Sequence, residues 1–102
     1  MTIAEFRSTL TATAPPANLP GAIVAMWHDA KGDWSAAHAV AQDITDEAGS
    51  WVHAYLHRKE GDAANAAYWY RRARQPVAHG DLDEEWKQIV TTMLDRHLES
   101  GV

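Results

Sequence analysis

Two glycine–aspartate steps constrain the fold of this chain more than any other feature of its sequence. Gly32-Asp33 and Gly61-Asp62 end two nine-residue segments that align with each other at an offset of 29 residues. Glycine ends a helix in the left-handed conformation, and an aspartate oxygen accepts from the first free N–H groups of the next helix. Each step therefore predicts a tight turn between two antiparallel helices.

Start and stop residues around the two steps define four helices. Proline and glycine open the first helix, since proline costs nothing where its missing N–H has no partner. The predicted starts are Pro20 or Gly21, Trp34 after the cap Asp33, Thr45 or Asp46, and Ala63 after the cap Asp62. The second helix is expected to end near Ile44, the third at Glu60 and the fourth at Arg74, before Pro76. The sequence therefore predicts two tandem helical hairpins.

Apolar residues at helical spacing predict one further helix at each end of the chain. Ile3, Phe6 and Leu10 indicate a short amphipathic helix before the Ala/Pro-rich linker 12–20. A last helix is expected to begin at Asp81 or Asp83 and to end at Gly101. Its apolar stripe comprises Trp86, Ile89, Val90, Met93, Leu94 and Leu98, with His97 beside them. No segment alternates as a strand does, so we predict a single all-α domain over residues 1–102.

The second hairpin, Trp51 to Pro76, resembles a tetratricopeptide repeat (TPR), and its segment Asn65–Ala73 is similar to the Sel1-type variant. The residues at the motif's packing positions are Ala54, Gly61, Asp62, Ala66, Tyr70 and Ala73. The resemblance covers two degenerate units over about residues 18–76, with a shorter period than the usual ~34 residues. It implies a TPR-like superhelix of tandem antiparallel hairpins.

The resemblance also implies a binding groove lined by the first helix of each hairpin. Carried over position by position, its candidates are Met26, Asp29 and Ala30 from the first unit and Trp51, Tyr55, Arg58 and Lys59 from the second. Rings beside two cations suit a peptide with an apolar anchor and a carboxylate. The leading hypothesis is a non-enzymatic module that binds a protein or peptide. The simpler alternative places Trp51 and Tyr55 in the core.

The histidines support a second hypothesis, a small-ligand or metal site between the hairpins, with catalysis left open. His28 and His57 occupy equivalent positions, and His53 lies one turn before His57 on the same helix face, where two imidazoles can chelate a metal. The remaining candidates are His38 as a further ligand, with Trp27, Tyr68 and Trp69 as walls. Against this, histidines often simply hydrogen-bond a neighbour, and no glutamate follows His53 as in zinc proteases.

Charge and composition narrow the classes of partner. The chain has no cysteine, which excludes disulfides and thiolate zinc sites. A net charge of −5 argues against a general nucleic-acid binder. Rings and arginines in Tyr68–Arg72 suggest nucleotide binding, although helix packing explains them more simply.

Several expectations concern the cellular setting and the chemistry. The longest apolar run, residues 22–27, is too short to span a membrane, so we expect a cytoplasmic protein with no membrane partner. No phosphate loop, nucleophile elbow or carboxylate pair is present, so we predict no catalytic residues and no cofactor apart from the alternative divalent metal. A homodimer would cover the apolar edges of two short repeats.

Overall fold

The computed structural model describes residues 1–100, and this part of the chain is helical without a strand. Its six α-helices are α1 Ile3–Ser8, α2 Gly21–Ala30, α3 Trp34–Gln42, α4 Glu47–Lys59, α5 Ala63–Ala73 and α6 Leu82–Ser100, with a 3-10 turn at Thr9–Thr11. The predicted all-α fold of tandem hairpins with a helix at each end is therefore confirmed. The expected helix end at Gly101 lies outside the described residues.

The two glycine–aspartate steps form the same turn. Gly32 and Gly61 have φ of 81° and 92°, in the left-handed region. The next residue is a cap in both cases, because Asp33 accepts from the Ala36 backbone N–H at 3.0 Å and Asp62 from that of Asn65 at 3.2 Å. Each turn thus ends one helix and begins the next in a reversed direction.

The two hairpins, α2 with α3 and α4 with α5, pack side by side through contacts that α4 makes with both α2 and α3. Small residues on all four helices are fully or almost fully buried, namely Ala25, Ala37, Ala41, Ala54 and Ala66. The turn from α3 into α4 is tighter still, since a Cβ at Gly49 would lie 2.4 Å from the carbonyl oxygen of Ile44. Close helix approach therefore depends on small side chains.

Helix α6 crosses both hairpins and contacts α1, α2 and α4. Five members of its predicted stripe are buried: Trp86, Ile89, Val90, Met93 and Leu94. The prediction for Leu98 is wrong, because this side chain is 54% exposed. The side chains from Asp95 to Glu99 are exposed or half-buried, so the core ends at Leu94. No helix within residues 1–100 combines the length and apolar character needed to cross a membrane.

Candidate metal centre

Three imidazoles converge where α3 packs against α4. His53 and His57 are one turn apart on α4, and His38 faces them from α3. The Nε2 atoms of His38 and His53 are 2.9 Å apart. Each of the three residues offers a ring nitrogen, and these nitrogens all lie within 4.8 Å of one another. The geometry thus gathers three nitrogen donors from two hairpins.

Neighbouring polar groups fix the orientation of His57. Its Nδ1 lies 2.8 Å from Oε1 of Glu60, and since a carboxylate only accepts, Nδ1 carries the proton. On the other side of the ring, the amide nitrogen of Asn65 lies 3.4 Å from Nε2 and is placed to donate to it. With the proton on Nδ1, Nε2 is the ring nitrogen that carries a lone pair, and a metal ion would take this lone pair in place of the long contact with Asn65.

Burial and mutual repulsion favour the uncharged form of the other two histidines. Burial, reinforced by the charges that His38 and His57 would carry, lowers the pKa of His53 to about 4. Burial is also the main cause that lowers the pKa of His38, reinforced by His57 and opposed by Glu60. Because a metal binds neutral imidazole, these lowered pKa values favour the ligand form of His38 and His53.

Two tryptophan rings cover the cluster. Trp69 stacks on His53 with ring centroids 4.1 Å apart, and Trp34 stacks on His38 at 4.8 Å with an interplanar angle of 11°. Tyr68 lies edge-on to Trp69 one layer further out. Trp34 was not among the sequence candidates, although it precedes His38 by one helical turn and so shares its face.

The two candidates on α2, His28 and Trp27, are not part of the cluster, which corrects the prediction for them. The His28 ring lies edge-on to Trp27 at 5.3 Å. The Trp27 indole N–H donates instead to the hydroxyl of Thr9, 3.1 Å away. The cluster forms between α3 and α4, and His28 belongs to α2. His28 and His57 occupy equivalent positions in the two hairpins, but only His57 is part of the cluster.

The face predicted as an open groove is covered by α6, which corrects that expectation. Met26, Trp51 and Tyr55 are buried. The Trp86 indole N–H donates to the carbonyl of Met26 at 3.1 Å, and Arg58 pairs with the buried Glu85 at 2.7 Å. The apolar stripe of α6 thus takes the position in which a peptide was expected.

One end of the predicted groove remains accessible. Asp29, Ala30, Tyr55 and Lys59 line a cleft of about 490 Å³. Its buried carboxylate, Asp29, accepts from the Tyr55 hydroxyl at 3.0 Å and from the Lys59 ammonium at 2.9 Å. Burial and the neighbouring Asp29 carboxylate raise the pKa of Tyr55 above its usual range, so this hydroxyl remains a donor.

No protein-family model matches the sequence, and neither a curated protein nor a solved structure is significantly similar to it. The resemblance to tetratricopeptide repeats therefore stays a prediction. Function has to be argued from the sites themselves.

Proposed function

We propose that this chain binds a divalent transition-metal ion such as Zn²⁺ through His38, His53 and His57. The observation that carries the proposal is the convergence of three ring nitrogens from α3 and α4 within 4.8 Å. Three histidines are a ligand set of zinc centres, and imidazole also suits copper and nickel. The absence of cysteine leaves nitrogen and oxygen as the available ligand atoms.

The spacing of the His38 and His53 nitrogens supports metal binding between these two rings. Tetrahedral Zn²⁺ with bonds of about 2.0–2.1 Å requires ligand nitrogens about 3.3 Å apart. The Nε2 atoms of His38 and His53 are already 2.9 Å apart. In the metal-free protein one of these two atoms must donate a hydrogen bond to the other. For both Nε2 atoms to bind a metal ion, that proton would move to Nδ1 of the same ring, which leaves the imidazole neutral.

The surroundings of the cluster also suit a metal. Ligand histidines usually donate their second ring N–H to a carboxylate, which fixes the ring and makes the other nitrogen more basic. Glu60 holds this position on His57. Stacking by Trp34 and Trp69 restrains the other two rings. With three protein ligands, a fourth coordination position is left for water or another small ligand.

Calorimetric titration of chelator-treated protein with zinc chloride tests the proposal. We expect one equivalent to bind, and we expect His38→Gln and His53→Gln to weaken the affinity at least about tenfold, because each removes one of three ligands. His28→Gln is the matched control, since His28 occupies the repeat position of His57 but lies outside the cluster. This control should bind as the parent protein does.

Circular dichroism of every variant separates loss of a ligand from loss of the fold. His38 is only half-buried, so its substitution is the one least expected to disturb packing. A parent protein that takes up no zinc at stoichiometric concentration contradicts the proposal. Equal weakening by the His28 and His38 substitutions does so too, since it indicates scattered surface histidines.

A further inference from the structure

A cleft formed by α1 with the ends of α2 and α4 and the start of α6 is the second candidate site. Its volume of about 490 Å³ lies within the range of about 300–1,000 Å³ that small-molecule sites occupy. The lining residues that matter here are Arg7, Leu10, Asp29, Lys59, Asp83 and Trp86. None of them belongs to the histidine cluster, so the two sites are independent.

The two cations of the cleft have donors to spare. The Arg7 guanidinium lies 5.5 Å from the centroid of the Trp86 ring, and no carboxylate among residues 1–100 forms an ion pair with it. Lys59 uses one of its three N–H donors on Asp29 at 2.9 Å. Both groups can therefore donate to an added oxyanion.

The two carboxylates of the cleft differ in how many hydrogen bonds and ion pairs they already form. Asp29 is buried, and its two oxygens accept from Tyr55 and Lys59. Asp83 lies exposed in the first turn of α6, and no described cation pairs with it. The four charged groups sum to zero. A ligand with only a negative charge would be repelled by Asp83, and a ligand with only a positive charge would be repelled by Arg7 and Lys59.

We propose that this cleft binds a small zwitterion of the α-amino-acid type that carries an apolar side chain. Its carboxylate accepts from Arg7 and Lys59, and its ammonium group donates to Asp83. The apolar side chain packs against Leu10 and Trp86, which supply the hydrophobic part of the lining. A ligand with both charges forms ion pairs with Arg7 and with Asp83. A ligand with a single charge pairs with one of these two residues and is repelled by the other.

Three matched compounds test this charge requirement. L-Phenylalanine carries both charges, 3-phenylpropanoate lacks the ammonium group, and phenethylamine lacks the carboxylate. In ¹H–¹⁵N NMR titrations of the full chain, we expect L-phenylalanine to shift the Trp86 indole and Arg7 side-chain signals saturably at concentrations of about 1–10 mM. Each single-charge analogue should bind at least about tenfold more weakly, because it forms one ion pair fewer and its remaining charge is repelled by the side chain left without a partner.

Substitutions assign the two charges to residues. Arg7→Gln should weaken L-phenylalanine at least about tenfold, and Asp83→Asn should weaken it but leave 3-phenylpropanoate unchanged or improved. Arg71→Gln is the control, since it removes the same charge from an exposed position on α5. The proposal is overturned by no saturable shift at about 10 mM L-phenylalanine. It is also overturned by equal binding of either analogue, or by equal effects of the Arg7 and Arg71 substitutions.

Discussion

His53 is the histidine whose surroundings most strongly oppose a charge. It is 7% exposed, and it lies between the Trp69 ring and the His57 ring. A protonated imidazole here would lose its hydration and face two further histidines. The depressed pKa of about 4 follows from that loss of hydration first and from the neighbouring imidazoles second.

This depressed pKa predicts that the metal-free protein loses stability in mild acid. Unfolded His53 takes up a proton below about pH 6.5 and folded His53 only below about pH 4, so the stabilisation is complete above that window and is lost as the pH falls through it. The loss at about pH 5 should be about 1–2 kcal/mol in urea unfolding. His53→Gln should flatten this pH dependence, whereas His79→Gln, at an exposed position, should not.

Glu60 is not one of the three proposed ligands, but it orients the His57 ring and should therefore affect the metal affinity. Glu60→Gln weakens the acceptor that holds the His57 ring, so zinc affinity should fall about tenfold to a hundredfold by calorimetry. Glu84→Gln removes the same charge from an exposed position on α6 and should leave the affinity unchanged. An unchanged affinity in the Glu60 variant would mean that the carboxylate does not support the site.

At the residue scale, the sequence predicted the ligands that share a helix. His53 and His57 followed from their spacing alone, because i and i+4 always share a face. The same rule, applied to α3, would have found Trp34 beside His38. His28 was included because helix packing could have brought it close to His53 and His57. Which side chains meet across two packed helices has no local signal in the sequence, so this could not be decided beforehand.

At the scale of the helices, alanine substitutions at Gly49 and Gly32 should lower the stability of the fold by different amounts. Gly49→Ala places a Cβ against the Ile44 carbonyl oxygen, so we expect a loss of about 2–3 kcal/mol from overpacking. Gly32→Ala meets nothing within 4 Å and only strains a left-handed backbone, which costs about 1 kcal/mol. Chemical unfolding of both variants checks the order, and a larger loss at Gly32 would contradict it.

The helix boundaries and the groove show what local patterns can and cannot predict at this scale. Asp33 and Asp62 mark the helix starts correctly because a cap is a contact between residues three positions apart. The apolar stripe of α6 and the groove residues on α2 and α4 were each predicted. Their pairing was missed, because the contact between Trp86 and Met26 joins residues 60 positions apart.

For the whole molecule, α6 connects the two hairpins. It contacts α2 from the first hairpin and α4 from the second. The buried Glu85 accepts from Arg58 on α4 and from Tyr70 on α5. We therefore expect the two hairpins to unfold together, unlike the units of long repeat arrays.

Trp86→Ala tests this coupling. Removing the indole leaves a cavity and takes away the hydrogen bond that the indole donates to the Met26 carbonyl, so we expect a loss of about 3–5 kcal/mol. Far- and near-ultraviolet circular dichroism should still report one coincident transition at a lower temperature. Two separate transitions, in the variant or in the parent, would show that the hairpins fold independently.

The stacking of Trp34 and Trp69 on two of the three clustered imidazoles gives the protein an intrinsic optical reporter. A paramagnetic ion such as Cu²⁺, held by those imidazoles, would quench the emission of these two indoles. Trp27, Trp51 and Trp86 stack on none of the three rings in the described chain. Partial loss of fluorescence would then report how much of the site is filled, without any added dye.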